Sequence, residues 1–431
     1  MHEMVDLDRR HFLSLCAVSA IPSVSVSSAG RMRQQPSAAF PALRQQVRGR
    51  PLAYLDSAAT TLRPQAVIDA LTGFYETDNA NPAPVHTLAR RAASRLTAAR
   101  QTVARFINAP SANEVIFTRG STEGINLIAS TWGAANLRAG DEVILTIAEH
   151  NSNLLPWTRA AKQAGATVRV VDVDDEGRLR LDQLKQMISA KTRLIAFSHV
   201  SNVLGLVNPA KEICGLARQA GARVVIDGAQ SVPHVSVDVQ ELGCDFYVFS
   251  GHKMLGPMAT GVAWGRLELL DAMPAYHMGS NMAHEVDFER ASMEHGALKF
   301  QAGTPDVAGP VGLAAAIDFL SAMGKDATWR HDRELVGHGL ARLREVKGLR
   351  IIGPTSADNR LPVFTFVIAG KSPLAIATAM DSKGIAIRAG DMAALPLLRR
   401  FGVTEAARAS AYVYSSRDDI DRLADALAAE F

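Results

Sequence analysis

From Leu52 onward, short runs of β-branched and aromatic residues alternate with helical patterns. Glu114 to Thr118, Asp141 to Thr146, Ala166 to Val171, Thr192 to Phe197, Arg223 to Ile226 and Cys244 to Phe249 predict strands, and Pro209 to Ala220 predicts one of the intervening helices. That alternation predicts an α/β fold whose mostly parallel sheet is covered on both faces. In such sheets ligands sit beyond the carboxyl ends of the strands, and polar residues cluster at those ends here. Leu88, Ala92, Leu96, Ala99, Val103 and Phe106 recur at helical spacing, which predicts an amphipathic helix with the arginines between Arg90 and Arg105 facing outward. Toward the C-terminus, Leu361 to Ala369 predicts a strand and Pro373 to Lys383 a helix stopped by Gly384. Ser416-Arg-Asp-Asp419 resembles a capping box, leading a helix with Ile420, Leu423 and Leu427 inward.

With 431 residues, 48% of them hydrophobic and 21% charged, the chain can bury a large core and build a big domain plus a smaller one. The boundaries read as a leader over residues 1–30, an arm over 31–50, a large domain over 51–320 and a small domain over 321–431. A formal net charge of +3 is too small to point to nucleic acid as a partner. Cys16, Cys214 and Cys244 have neither metal-ligand spacing nor a disulfide framework, so they read as small buried apolar residues and no metal site is expected. In the leader, Arg9-Arg10-His11-Phe12-Leu13 precedes a modest apolar stretch and then Ser27-Ser28-Ala29. The stretch is too short and too serine-rich for a permanent membrane anchor. The twin arginine resembles a Tat export signal, although Asp8 stands where Ser or Thr is usual. A periplasmic location follows if the signal is used, and a cytoplasmic one if the segment is only a disordered basic start.

Candidate chemistry lies at the strand ends. Arg119-Gly-Ser-Thr-Glu-Gly-Ile-Asn126 follows a strand and opens a helix, so Ser121, Thr122 and free backbone N–H groups could hold a phosphate, or simply cap the helix. His150 ends the next strand, Asp227-Gly-Ala-Gln230 ends another, and Ser250-Gly-His-Lys253 follows the last. Each has an ordinary alternative as a solvated or satisfied polar group. Together, in this order, they describe a pyridoxal phosphate site. The Lys253 amine would condense with the cofactor aldehyde and later move the substrate α-proton. Asp227 would keep the pyridine nitrogen protonated, Gln230 would bond the ring phenolate, and His150 would stack on the ring face. Ser121, Thr122, Ser250 and His252 would bind the phosphate.

The blocks Tyr54-Leu-Asp-Ser-Ala-Ala-Thr-Thr61, Arg119 to Asn126, His199-Val-Ser-Asn-Val-Leu-Gly205, Asp227 to Gln230, Phe246 to Lys253 and Ala302-Gly-Thr-Pro305 resemble cysteine desulfurases of the sulfur-mobilisation type, within the class V aminotransferase family. The resemblance implies a fold-type I homodimer with a seven-stranded large-domain sheet, in which Thr304 reaches the phosphate held by the partner chain. It further implies that Asn202 lies near the cofactor ring and that Arg388 grips the substrate carboxylate, a contact that suits a planar guanidinium. His86 falls on the family's substrate side, without the arginine that normally precedes that segment. One departure bears on the reaction. In the family, a loop after the arginine carries the persulfide-forming cysteine; here Arg388-Ala-Gly-Asp-Met-Ala-Ala-Leu-Pro396 puts Ala393 at that place, with Asp391 and Met392 where histidines are usual. Transamination, β-elimination, epimerisation and decarboxylation remain open, and persulfide transfer does not. With the export signal, the chain is most similar to Tat-exported enzymes that modify peptide siderophores such as pyoverdine. The expected function is therefore an exported enzyme acting at the α-carbon or amino group of a free or peptide-borne amino acid. The alternatives are desulfurase or C–S lyase activity without a persulfide, and cofactor binding without catalysis.

Overall fold

The structure, a computed structural model, describes residues 36–431, so the leader over residues 1–30 lies outside the described residues. Seven strands form the central sheet: β1 (Val115–Thr118), β2 (Glu142–Thr146), β3 (Thr167–Val171), β4 (Thr192–Ser198), β5 (Arg223–Asp227), β6 (Phe246–Ser250) and β7 (Gly261–Gly265). Their order is β1-β7-β6-β5-β4-β2-β3. β7 runs antiparallel to β1 and β6, and the remaining neighbours are parallel. The mostly parallel, seven-stranded α/β architecture expected from the sequence is what the chain adopts.

Strand β6 shows why its sequence reads as it does. All five of its residues are buried. Phe246 and Val248 enter the core on one face of the sheet, while Tyr247 and Phe249 enter the core on the other. A strand buried on both sides needs an unbroken apolar run, because successive side chains alternate between faces. The first polar side chain, Ser250, comes where the strand ends and the tight turn Gly251–Lys253 begins. Strand β7 is not legible in the sequence, being short and bounded by glycines. Gly261 has a steric reason to be there: a Cβ would sit 2.5 Å from Gly120 Cα. That close approach seats the turn after β1 against the start of the neighbouring strand β7.

Helices α1 (Ser121–Ile128), α2 (Asn151–Ala164) and α3 (Ala210–Gln219) follow β1, β2 and β4, and α4 (Ala308–Met323) is buried along most of its length. The second unit is an antiparallel sheet of β8 (Leu349–Ile351), β9 (Val363–Ile368), β10 (Arg388–Gly390) and β11 (Ala406–Ser410), in the order β8-β9-β11-β10. Its core is shared with α5 (Lys325–Arg344), α6 (Pro373–Ser382) and α7 (Arg417–Glu430). The capping box at Ser416 is present, with Asp419 returning the bond. Near the start of the described chain, Ala53–Tyr54 pairs in parallel with Ile385–Ala386, and Asp56 bridges to Ser410. Residues 53 to 57 thus leave the large unit and join the small one, which carries Asp56 toward the site.

One expectation about the surface is corrected. The helix Thr87–Phe106 forms, but Arg100 is buried within it rather than outward. Its guanidinium donates to Val115 O and Gln301 Oε1 and lies 4.9 Å from the Phe117 ring centre, and burial pushes its pKa down to about 10. Position 100 stands four residues beyond Leu96, on the same stripe. Periodicity placed it inside; only its charge argued otherwise.

Candidate active site

The carboxyl ends of β4, β5 and β6 and the loop after β10 enclose a cavity of about 440 Å3. Lys253 reaches it from the turn after β6. Burial pushes the Lys253 amine down from its usual range, and the Arg408 charge adds to this while Asp227 opposes it. A buried amine that gives up its proton readily is the form that attacks a carbonyl carbon. Asp227, at the end of β5, is buried and accepts from Ala229 N at 2.9 Å. Burial raises its pKa, and Lys253 together with the Ala229 N–H lowers it. Such a carboxylate is stabilised by a cationic partner inside the cavity.

His150 closes β2 and caps α2, its Nδ1 accepting from Ser152 N at 3.1 Å. Burial, then the charges of Lys253 and Arg408, push it down to about 4. The ring is therefore neutral at neutral pH and can pack on a flat partner without bringing charge. At the other end of the cavity, Ser250 Oγ accepts from Ser121 N at 2.8 Å and lies 3.0 Å from Ser121 Oγ. Thr122 Oγ1 is 2.8 Å from Ser152 Oγ, and His252 Nδ1 is 3.2 Å from Thr60 Oγ1. Hydroxyls and the first N–H groups of α1 converge there, a site suited to a dianion. His252 is pushed down to about 4, first by burial and then by Lys253 and Arg63. Gln230 Nε2 donates to Ala58 O at 2.7 Å, and Asn202 Nδ2 donates to Met392 O at 2.8 Å. Both residues line the cavity.

The structure thus brings Ser121, Thr122, His150, Asn202 and Asp227 to one cavity with Gln230, Ser250, His252, Lys253 and Arg388. It does not bring His86 or Thr304 there. Both are exposed, and His86 Nδ1 accepts from Ala89 N at 3.3 Å to cap a helix. Arg388 lines the cavity, yet its guanidinium is held by Asp56, with Nη2 at 2.6 Å and Nε at 3.3 Å. A second arginine, to which the sequence assigns no catalytic role although it could face the pocket mouth, lies beside it. Arg408, in the middle of β11, is 3% exposed, donates Nη1 to Asn202 O at 2.9 Å and has Nη2 3.6 Å from Asp56 Oδ1. A lone cation within Ala406-Ala-Arg-Ala-Ser410 was the available signal, since small neighbours on a buried strand leave room for a long side chain to reach a cavity.

Two buried polar atoms on this cavity have no protein partner among the described residues: Arg408 Nε and Ser198 Oγ. Buried polar groups are normally bonded, so these mark where a polar ligand belongs. With the Lys253 amine, the Asp227 carboxylate and the hydroxyl cradle at α1, the donor set fits pyridoxal phosphate. That group would supply an aldehyde to Lys253 and an electron-withdrawing ring beside Asp227. Among the described residues no thiol lines the cavity: Cys214 and Cys244 are buried elsewhere, burial pushing the first up to about 12 and raising the second well above its usual range. Ala393 stands on the wall, its carbonyl accepting from Asn151 N at 2.7 Å.

Residues 53–423 match the family model described as Aminotransferase class-V. A cysteine desulfurase of Synechococcus elongatus is 45% identical over 389 residues, 90% of this chain, although the chain spans only 62% of that relative's length. A probable cysteine desulfurase of Halalkalibacterium halodurans is 46% identical over 389 residues, 90% of this chain and 95% of the relative. Among solved structures, the Escherichia coli cysteine desulfurase CsdA in its S-sulfonic acid form superposes with a TM-score of 0.85 at 37% identity, covering 91% of this chain and 97% of that one. The apo cysteine desulfurase of Thermococcus onnurineus gives 0.87 at 31% identity, with 96% and 99% covered. The chain belongs to the class V aminotransferase family of pyridoxal-phosphate-dependent enzymes.

Proposed function

We propose that this chain is a lyase that breaks the C–S bond of cysteine or an S-substituted cysteine without forming a persulfide on the protein. The observation that carries this reading is a cavity with Lys253, Asp227 and two arginines, in which Ala393 occupies the wall and no cysteine among the described residues reaches it. The relatives named cysteine desulfurases support the substrate class. Within the cavity, Arg408 and Arg388 hold the substrate carboxylate, and the Lys253 amine, pushed down from its usual range by burial, takes the α-proton. Asp227 would hold positive charge beside it, and the neutral His150 ring would offer a flat surface to the group bound in the cavity. Loss of the sulfur as a thiol then leaves water to complete the products. Cysteine plus water gives pyruvate, ammonia and hydrogen sulfide.

The test is product analysis on the cofactor-loaded full chain given L-cysteine. Pyruvate and sulfide in equal amounts, without added reductant and retained when Cys214 and Cys244 are replaced by alanine, support the reading. Alanine in place of pyruvate overturns it in favour of sulfur transfer. A keto acid that retains its sulfur points instead to the transaminase chemistry expected from the sequence, and absence of any product points to cofactor binding alone.

Two further parts of the proposal stand separately. A homodimer is read from the exposed His86 and Thr304, which would each serve a partner's cavity; light scattering showing an active monomer would reject it. Export to the periplasm rests on Arg9-Arg10 with Ser27-Ser28-Ala29. Cell fractionation of the doubly Lys-substituted twin-arginine variant should find the protein retained in the cytoplasm. The expected role in maturing a peptide siderophore draws no support from the described residues.

A further inference from the structure

The carboxylates on the cavity wall are Asp227 and Asp391. Asp227 is buried at the closed end, beside Lys253. Asp391 is exposed on the opposite wall and has no ion-pair partner within 4.0 Å among the described residues; its Oδ1 accepts only from Ala393 N, at 2.9 Å. The loop that carries it is fixed across the cavity at two points, Asn202 Nδ2 to Met392 O at 2.8 Å and Asn151 N to Ala393 O at 2.7 Å. Met392 is buried in an apolar cluster behind the wall. Asp391 is thus held in place on a wall that is part of the fold. Nearby His150, pushed down to about 4 by burial and by two cationic neighbours, stays neutral at neutral pH and does not quench it.

A substrate α-carbon has three heavy-atom substituents to place. Its amine goes to the Lys253 end and its carboxylate to the arginine pair beside Asn202. The loop wall of Asp391, Met392 and Ala393 remains for the side chain. Arg408 and Asn202 are bonded to each other, and Asn202 to Met392, so this wall directly adjoins the carboxylate site.

We infer that Asp391 is the recognition group for the substrate side chain, and that the preferred substrate is an S-substituted cysteine whose S-substituent carries a cation. This rests on the lyase reading above and adds to it the charge of the leaving group. An anionic substituent is disfavoured by the same carboxylate. The balanced reaction takes S-aminoethyl-L-cysteine and water to pyruvate, ammonia and aminoethanethiol; the C–S bond breaks, and the sulfur leaves with the electron pair and gains a proton.

The test is an absorption titration of the cofactor-loaded full chain at low ionic strength, following the cofactor's visible band. The probes are S-aminoethyl-L-cysteine, its neutral isostere S-propyl-L-cysteine, and S-carboxymethyl-L-cysteine. Because Asp391 is exposed and screened, the cationic probe is expected to bind no more than about fivefold tighter than the neutral one. The anionic probe is expected to bind weakest. Asp391→Asn should bring the first two within about twofold by weakening only the cation, and Asp391→Lys should invert the order. Equal binding of cationic and neutral probes to the native chain, or a preference that survives Asp391→Asn, overturns the inference. If L-cysteine shifts the band but the three probes are not discriminated, only the role of Asp391 falls. If no amino acid, L-cysteine included, shifts the band, the lyase reading falls and this inference with it.

Discussion

On one side of the cavity, His150, Asp227 and Lys253 stand at or just past the ends of strands whose backbones are paired on both sides within a seven-stranded sheet. On the other, Asp391, Met392 and Ala393 belong to a loop, and two adjacent non-glycine residues there hold left-handed backbone, with φ of 53° each. The first wall is fixed by local sequence, because a buried strand cannot end without exposing polar residues at its tip. The second is fixed by contacts between distant segments, Asn202 and Asn151 holding its carbonyls and Asp56 holding its arginines. Chemistry common to the family sits on the first wall. The second is where this chain sets what it accepts.

If that division is right, the strand-end wall should respond to substitution with loss of the reaction itself. Lys253→Ala is expected to lower the rate of pyruvate formation by about 10^3-fold or more, since positioned proton transfer alone is worth about 10^2- to 10^4-fold. The visible band of the bound cofactor should also change. Steady-state kinetics at saturating substrate check the first, absorption the second; near-native turnover in this variant would remove Lys253 from the centre of the site.

The same wall carries a buried charge that pH should reveal. Glu149, next to His150, accepts from Asn153 Nδ2 at 2.7 Å and from Thr146 Oγ1. Burial raises its pKa from 4.5 to about 7; the bonds from Thr146, Asn153 and the Ser198 backbone oppose this, and Asp227 adds a little to it. An unfolded chain loses this proton near pH 4.5, the folded one only near 7, so the unfolded state binds fewer protons in that window. Stability contributed by Glu149 is therefore full below pH 4.5 and falls as pH rises toward 7, by about 3 kcal/mol in all. Glu149→Gln should flatten this loss, measured as urea midpoints at pH 5 and pH 8. An unchanged slope would mean the titrating group lies elsewhere.

The contrast also explains what could be read in advance. Lys253, Asp227 and His150 were legible because each follows an apolar run at a strand end, where residue type and position coincide. Strand β7 is not, because two of its five residues are glycines, Gly261 admitting a close backbone and Gly265 the side chains of Phe246 and Leu270, rather than residues of high strand propensity. Arg100 reads as outward because its charge outweighs its periodicity, and the acceptors that satisfy it, Val115 O and the distant Gln301 Oε1, lie outside its own helix. Arg408 gets no catalytic role from the sequence because its meaning comes from Asp56 and Asn202, more than two hundred residues away. A one-dimensional pattern records burial and turns, not which distant carboxylate will meet which cation.

Arg408 and Arg388 offer a sharper comparison within the second wall. Arg408 is 3% exposed with an unpartnered Nε, whereas the Arg388 side chain is 48% exposed and already bonded to Asp56. Lysine substitution keeps the charge and loses the fork. Arg408→Lys should raise KM for amino acids about tenfold or more, as a charged hydrogen bond in a buried setting is worth about 1.5–3 kcal/mol. Arg388→Lys should raise it only about twofold, in line with exposed pairs. Equal effects, or the reverse order, would return the carboxylate to Arg388, as the sequence resemblance implied.

The smallest effect tests the loop backbone. An L-residue in left-handed conformation costs about 1–2 kcal/mol, and glycine avoids that cost while adding about 0.4–1 kcal/mol of freedom to the unfolded chain. Ala393 has φ of 53° and a half-buried methyl. Ala393→Gly should therefore stabilise the protein by about 0.5 kcal/mol, read from the denaturant midpoint. Substitution of a helical alanine, such as Ala424 in α7, should destabilise it by about 1 kcal/mol or more. Opposite signs at the two positions follow only if the loop is held in the strained form by its ties to Asn151 and Asn202. A loss at Ala393 matching that at Ala424 would mean that the wall relaxes in solution, and the side-chain pocket would then have to be formed by the substrate rather than built into the fold.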